Sequence, residues 1–101
     1  MQEKINLNTD IVVQSGGTVS LNILKKEHGN IDVFSFDRGQ KISEHTSPYE
    51  ATVIVIEGEL KIVIGGETYT LSEKEAIVMP ANVPHSLEAL KLSKMILVMI
   101  R

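Results

Sequence analysis

Short stretches in which apolar and polar residues alternate recur along the whole chain. In residues 18–23 every second side chain is apolar, which is the period of a half-buried β-strand. Residues 31–37 continue in the same way, with Phe34 and Phe36 on one face. Residues 52–57 form a dense β-branched run that is apolar on both faces, which predicts a strand covered on both sides. No stretch has a sustained helical period, so the pattern predicts strands without helices.

The clearest local signal is a predicted hairpin. Residues 60–64 and 67–71 form two predicted strands around Gly65 and Gly66, which can both take the positive φ that a two-residue turn demands. The polar residues 40–46 are predicted to be irregular. Further strands are predicted at residues 76–79, 85–90 and 94–100. Many short strands, with turns at intervals of about eight to twelve residues, are typical of an all-β sandwich or barrel.

A chain of 101 residues is predicted to form one domain. Residues 1–16 are mostly polar and are predicted to form an N-terminal arm with a short edge strand, whereas residues 17–101 form the barrel domain. The arm lacks the apolar core of a signal peptide, and the longest apolar run, residues 95–100, is too short to span a bilayer. We therefore expect a cytoplasmic protein with no membrane partner.

Composition excludes several classes of function. The net charge is −3 and no basic stripe is present, so we expect no nucleic-acid partner. The chain has no cysteine, which excludes disulfides, thiolate catalysis and a sulfur-ligated metal.

Two histidines follow turn residues in a mostly apolar chain. Gly39 is followed after five residues by His45 and then by a hydrophobic run that ends at Gly58. Later in the chain, a stiff turn that contains Pro80 leads to His85. Polar imidazoles carried into apolar surroundings indicate a pocket.

The first of these stretches resembles the cupin family, whose first motif is G(X)5HXH(X)3,4E(X)6G. Gly39, His45 and Gly58 match this motif. Ser47 stands in place of the second histidine, and Ala51 stands in place of the glutamate. The resemblance covers roughly residues 17–101 and implies an all-β jelly-roll barrel, also called a double-stranded β-helix.

The second stretch is similar to the second cupin motif, G(X)5PXG(X)2H(X)3N. Pro80 and His85 match, whereas Lys74 and Asn82 replace the two glycines and Ala89 replaces the asparagine. Asparagine tolerates the left-handed conformation, so Asn82 is expected to serve the turn as glycine would. Gly39, Gly58 and Pro80 are likewise expected to be structural turn residues.

The resemblance implies a divalent metal bound by three histidines and one glutamate. His45 and His85 are the candidate ligands that remain, and imidazole suits Zn, Ni, Fe, Mn or Cu. A firm site normally has three or four protein ligands, so we expect any metal to be weakly held. Alternatively, both rings act only as polar groups of the pocket. Glu50 is the candidate for an extra ligand if a bulge near Pro48 turns it inward; otherwise strand alternation exposes it on the opposite face.

The remaining pocket residues are predicted from their positions. Tyr49 is expected at the mouth, where it either contacts a ligand or packs at the rim. Four other side chains are expected to line the pocket: Ser47, Phe36, Met79 and Met95.

Two functions remain open. A binding module would take up a small molecule and hold its polar groups with the two histidines. A metal-dependent cupin enzyme would polarise an oxygen-bearing substrate, as related isomerases, dioxygenases and decarboxylases do. We favour the binding module, because Ser47 and Ala51 cannot replace the lost ligands. Residues 95–100 are apolar on both faces, so we also expect a homodimer that covers one face of this strand or the N-terminal strands.

Overall fold

The computed structural model describes residues 2–101 and contains two antiparallel β-sheets. The strands are β1 (Thr18–Lys26), β2 (Gly29–Phe36), β3 (Lys41–His45), β4 (Glu50–Glu57), β5 (Glu59–Ile64), β6 (Glu67–Ser72), β7 (Ala76–Met79), β8 (His85–Ala89) and β9 (Ser93–Ile100). The five-stranded sheet has the order β1-β2-β9-β4-β7, and the four-stranded sheet has the order β3-β8-β5-β6. The all-β prediction is therefore confirmed. No helix in the described chain has both the length and the apolar character needed to cross a membrane.

The hydrophobic core lies between the two sheets. The larger sheet contributes one set of buried side chains: Phe36, Ala51, Val53, Val55, Met79 and Met95. The smaller sheet contributes a second set: Leu60, Ile62, Leu71, Leu87 and Ala89. Each set alternates with residues that face outward, so the two-residue period seen in the sequence places one face of every central strand in the core.

The predicted hairpin is confirmed. Strands β5 and β6 pair up to Ile64 and Glu67, and the turn between them consists of Gly65 and Gly66. Both glycines have positive φ, 56° and 85°. This is the backbone that a two-residue hairpin turn with the twist of the flanking strands demands.

Residues 41–45 form strand β3, although the prediction of irregular structure covered residues 40–46. Ile42 is the only apolar side chain in β3, so no alternating pattern marks it as a strand. Its strand conformation comes from pairing with β8, in which Ile42 lies opposite Leu87 and His45 lies opposite His85. Long-range pairing has overridden weak local preference here.

The N-terminal arm packs on the larger sheet without joining it. Residues 2–17 contain no strand, so the edge strand expected in the arm is absent from its described part. Ile11 is 2% exposed. The Lys94 ammonium, itself buried, donates a hydrogen bond of 2.8 Å to the Leu7 carbonyl. The division of the chain at residue 17 stays a prediction.

Asp37 forms a hydrogen bond with the C-terminal end of the N-terminal arm. Its carboxylate accepts hydrogen bonds from the backbone amides of Gly16 at 2.7 Å and Arg38 at 2.8 Å. These two bonds, with that from Gly16 contributing most, lower the pKa of Asp37 below its ordinary value of 3.8. The ionised carboxylate of Asp37 therefore stabilises the packed position of the N-terminal arm.

Two non-glycine residues in the described chain have positive φ: Lys74 at 69° and Asn82 at 64°. Both stand where the cupin motif has glycine. Asn82 lies in the turn between β7 and β8, and its amide donates a 2.7 Å hydrogen bond to the Ser47 carbonyl in the loop between β3 and β4. The two turns have therefore kept the backbone conformation of the motif although the residues that adopt it have changed.

We expect Lys74→Gly to raise the free energy of unfolding by about 0.5–1 kcal/mol. Glycine removes the cost of about 1–2 kcal/mol that a side chain incurs in the left-handed region. Part of this gain is lost, because glycine also increases the conformational entropy of the unfolded chain. Urea unfolding of the parent, Lys74→Gly and Lys74→Ala would measure the effect. Lys74→Ala is the matched control, because it removes the charge but keeps Cβ, and equal stability of the two variants would contradict the expectation.

Candidate metal- and ligand-binding pocket

His45 and His85 meet where β3 pairs with β8. Their Nε2 atoms are 3.1 Å apart, and their rings meet edge to face with centroids separated by 4.4 Å. His85 is 7% exposed, whereas His45 lies at the open side of the pair. The structure thus brings together two side chains that are 40 residues apart in the chain.

The second nitrogen of each ring is held by the backbone. Nδ1 of His45 lies 2.9 Å from the Ser43 carbonyl, and Nδ1 of His85 lies 3.1 Å from the Val83 carbonyl. A carbonyl oxygen only accepts hydrogen bonds, so Nδ1 of each ring is the donor. In the neutral state both rings therefore present the lone pair of Nε2 to the same point. Two lone pairs this close repel each other, so the arrangement suits a metal ion or a hydrogen-bond donor placed beside both nitrogens.

The spacing of the two nitrogens suits a metal ion. With metal–nitrogen bonds of about 2.0–2.1 Å, two nitrogens in neighbouring coordination positions lie about 2.9–3.4 Å apart. The Nε2 separation of 3.1 Å falls within this range. However, no group of three or more histidine, aspartate or glutamate side chains in residues 2–101 could hold a metal. The residues present thus fit an ion with two protein ligands only.

All four ligand positions of the cupin motifs line one pocket. His45 and His85 keep the ligand type, whereas Ser47 contributes a hydroxyl and Ala51 only a methyl group. Glu50, the candidate for an extra ligand, is exposed and does not line the pocket. It precedes Ala51 in β4, so the alternation of side chains directs it to the opposite face.

Apart from Ser86, the rest of the pocket lining is apolar. Its hydrophobic lining consists of Phe34, Ile42, Ala51, Met79, Leu87, Met95, Leu97 and Met99. The cavity has a volume of about 70 Å³. Sites for drug-sized ligands are typically about 300–1,000 Å³. The enclosed part is therefore small, and a drug-sized molecule would extend through the mouth.

Ser47, Met79 and Met95 line this cavity, whereas Phe36 and Tyr49 do not. Phe36 is completely buried in the core, and the pocket is lined instead by Phe34, whose ring stacks on it at 6.0 Å. Alternation places both rings on one face without saying which lies nearer the cavity.

Tyr49, which is 38% exposed, also does not line the pocket. The Arg101 guanidinium lies 5.6 Å from the centre of its ring. Tyr49 and Arg101 thus form a cation–π contact.

Several lining residues were missed from the sequence. Ile42 was missed because β3 was not predicted as a strand. Leu97 and Met99 had a usable signal, since they alternate with outward-facing residues on the same face as Met95.

Comparison with known proteins agrees with this architecture. The cupin domain family model matches residues 32–101, and the chain therefore belongs to the cupin family. A conserved protein of unknown function from Streptococcus pyogenes is 34% identical and superimposes with a TM-score of 0.92, covering 100% of this chain and 89% of that one. The jelly-roll barrel fold is thus shown.

Two further matches are enzymes by name. Salicylate 1,2-dioxygenase from Pseudoaminobacter salicylatoxidans superimposes with a TM-score of 0.78 at 19% identity, over 83% of this chain and 25% of that one. At this identity the likeness shows the fold alone. A polyketide synthase CurC from Streptomyces cyaneus is 40% identical over 48 residues, which are 46% of this chain. The match spans 31% of that protein, so its activity is not transferred to this chain. The cytoplasmic location and the absence of nucleic-acid and membrane partners stay predictions.

Proposed function

We propose that this cupin binds a small molecule with an apolar body, whose polar group is held by His45 and His85. The observation that carries the proposal is the pair of Nε2 atoms 3.1 Å apart at an apolar pocket. With both Nδ1 atoms bonded to carbonyls, the rings are already oriented, so little side-chain entropy is lost on binding. The pocket surroundings favour an apolar portion next to that polar group.

A divalent metal is proposed as a weakly held partner of this site. His45 and His85 would hold Zn, Ni, Fe, Mn or Cu, and the bound ion would act as a Lewis acid towards an oxygen of the ligand. Ser47 and Ala51 supply no replacement for the missing imidazole and carboxylate. Two protein ligands correspond to a labile ion, with the rest of its shell supplied by water or by the small molecule.

Calorimetric titration with Zn²⁺, Ni²⁺ and Cu²⁺ tests this proposal. We expect binding on the order of micromolar or weaker in the parent, and its loss in both His45→Ala and His85→Ala, because each removes half of the protein ligands. The affinity should fall as the pH is lowered, because protons compete for the same Nε2 atoms. His28→Ala is the matched control, since that side chain is 80% exposed. Unchanged binding in either pocket variant would contradict the proposal.

The alternative function is a metal-dependent cupin enzyme of the isomerase, dioxygenase or decarboxylase type. It is favoured by the same Nε2 spacing, because two neighbouring protein ligands leave open positions for water and substrate on one ion. Nanomolar binding in the parent, lost in His85→Ala, would move this alternative ahead, because such affinity requires a further protein ligand.

A further inference from the structure

We propose that a polar site beside the apolar pocket binds the hydroxyl groups of a neutral ligand, such as a sugar or a polyol. The site lies on β1 and β2, on the face of the larger sheet that carries the pocket, and has a volume of about 320 Å³. We call it the polar extension, and it is lined by Asn22, Lys25, Asn30, Asp32 and Arg101. This role rests on the proposed function, because the polar extension would hold the part of the same small molecule that lies beyond the pocket.

The polar extension continues the wall of the pocket by one strand. Leu97 and Met99 of β9 line the apolar pocket, and their partners across the β2–β9 pair are Asp32 and Asn30. Paired residues point to the same face of a sheet, with Cβ atoms about 4.5–5.5 Å apart. A ligand that lies against Leu97 and Met99 therefore reaches the polar extension when it is only a few atoms longer. The pairing of Asn22 with Asp32 carries the polar surface on to β1.

Hydrogen bonds hold the polar side chains in place. The Asp32 carboxylate accepts bonds from Nδ2 of Asn22 at 2.7 Å and from Nδ2 of Asn30 at 2.6 Å. Oδ1 of Asn30 in turn accepts a 2.7 Å bond from the Arg101 guanidinium, which also donates to the Lys26 carbonyl at 3.1 Å. These bonds fix the orientation of the side chains, so a ligand meets donors and acceptors that are already positioned.

Donors and acceptors with spare capacity lie side by side in this network. A carboxylate accepts up to about four hydrogen bonds, and the two amides occupy only part of this capacity in Asp32. A guanidinium carries several N–H donors, and the two bonds of Arg101 leave others for a ligand. A hydroxyl group both donates and accepts hydrogen bonds, so neighbouring hydroxyls of one ligand can use both kinds of group.

Charge in the polar extension favours a neutral ligand. Asp32 is half-buried, whereas Lys25 and Arg101 are exposed. Solvent and salt screen exposed charges strongly, so the carboxylate is the least screened of the three charges and repels a ligand anion. A ligand cation gains less from this carboxylate than from an isolated one, because Lys25 and Arg101 already lie beside it. Hydroxyl groups avoid both penalties.

Nuclear magnetic resonance titrations with three probes that share a butyl tail test the proposal. The probes are butyl glucoside, butyl phosphate and butylammonium. The reporters are the methyl group of Met99 in the pocket and the side-chain amides of Asn22 and Asn30 in the polar extension. We expect butyl glucoside to shift both sets of reporters and to bind at least about fivefold more tightly than either charged probe, because only its hydroxyls use the charged donors and acceptors without repulsion.

Asp32→Asn nearly keeps the shape of the side chain but removes its charge. It should weaken the binding of butyl glucoside about tenfold, because hydrogen bonds to charged groups are the stronger ones. It should also tighten the binding of butyl phosphate, which a merely structural role of Asp32 would not do. Arg101→Gln, at an exposed position, should also weaken butyl glucoside and keeps the test decisive if Asp32→Asn fails to fold. Glu88→Gln is the matched control, since this half-buried carboxylate of β8 lines neither the pocket nor the polar extension.

Two results would overturn the proposal. The first is a set of probes that shift Met99 in a manner that His85→Ala weakens, but among which butyl phosphate binds as tightly as butyl glucoside or Asp32→Asn changes neither affinity. The proposed function would then stand, and the polar extension would not be a site for hydroxyl groups. The second is that no probe shifts Met99, in which case the proposed function fails as well.

Discussion

Replacing Ser47 by histidine and Ala51 by glutamate together should raise the affinity for a divalent metal by more than about 100-fold. Both positions line the pocket that contains His45 and His85, so the new donors would complete a set of four. Removing a residue that only hydrogen-bonds to a metal ligand typically lowers metal affinity about 10- to 100-fold. Adding two residues that bind the metal directly should therefore change the affinity by more.

The stability of this double variant should also become dependent on metal. Ala51 is 5% exposed, so a glutamate there places a carboxylate in apolar surroundings, which is unfavourable without a partner. A bound ion supplies that partner and stabilises the folded state in proportion to its affinity. We therefore expect a lower melting temperature than the parent in chelator, and a higher one with excess Zn²⁺.

Thr46→His is the matched control for this experiment. With the native Glu50, it provides three histidines and one glutamate, as the double variant does, but with the new histidine and the glutamate each displaced by one residue. Thr46 and Glu50 are both exposed, and neither lines the pocket. Calorimetric titration should show no gain for this control. A gain of less than about tenfold in the double variant, or an equal gain in both, would mean that positions 47 and 51 do not lie at a metal site.

Gly58→Ala should destabilise the fold by about 2–5 kcal/mol. The φ of Gly58 is 84°, and a Cβ there would lie 2.3 Å from both the Leu92 carbonyl oxygen and the Ser93 hydroxyl oxygen. The left-handed conformation costs about 1–2 kcal/mol with a side chain, and the clash adds about 1–3 kcal/mol. Ser93 cannot give way easily, because its hydroxyl accepts a 3.0 Å hydrogen bond from the Glu59 amide.

Gly39→Ala separates these two costs. Gly39 has nearly the same φ, 87°, but nothing lies within 4 Å of its Cβ position. It should therefore show the conformational cost alone, about 1–2 kcal/mol. Urea unfolding of both variants gives the difference, and equal losses would show that the backbone at Gly58 relaxes away from Leu92 and Ser93.

The parts of the fold that were predictable are those in which local chemistry and tertiary structure agree. Alternation identified most strands, and Gly65 and Gly66 identified the hairpin because few other residues take positive φ in succession. The pairing of β3 with β8 was not predictable from pattern, because Ile42 is the only apolar side chain in β3. That pairing depends on the surface offered by β8, which lies about 40 residues further along.

The two histidines of the pocket were predictable from the sequence, but the side chains that form its walls were not. The family motifs placed His45 and His85 in one pocket, which the local pattern alone could not do. Whether Glu50 faced inward depended on a bulge near Pro48. The pairing irregularity of β4 lies instead between Val55 and Glu57, near the other end of the strand. Phe34 and Phe36 share a face, so only the packing of the two sheets decides which of them lines the cavity.

The position of β9 has a consequence for synthesis of the protein. This strand is the last described in the chain, yet it lies between β2 and β4 at the centre of the larger sheet. Until residues 93–100 leave the ribosome, the β1–β2 hairpin and the β4–β7 pair each present an unpaired strand edge. Such edges readily pair with other chains, so the nascent protein is prone to aggregate until β9 pairs between β2 and β4.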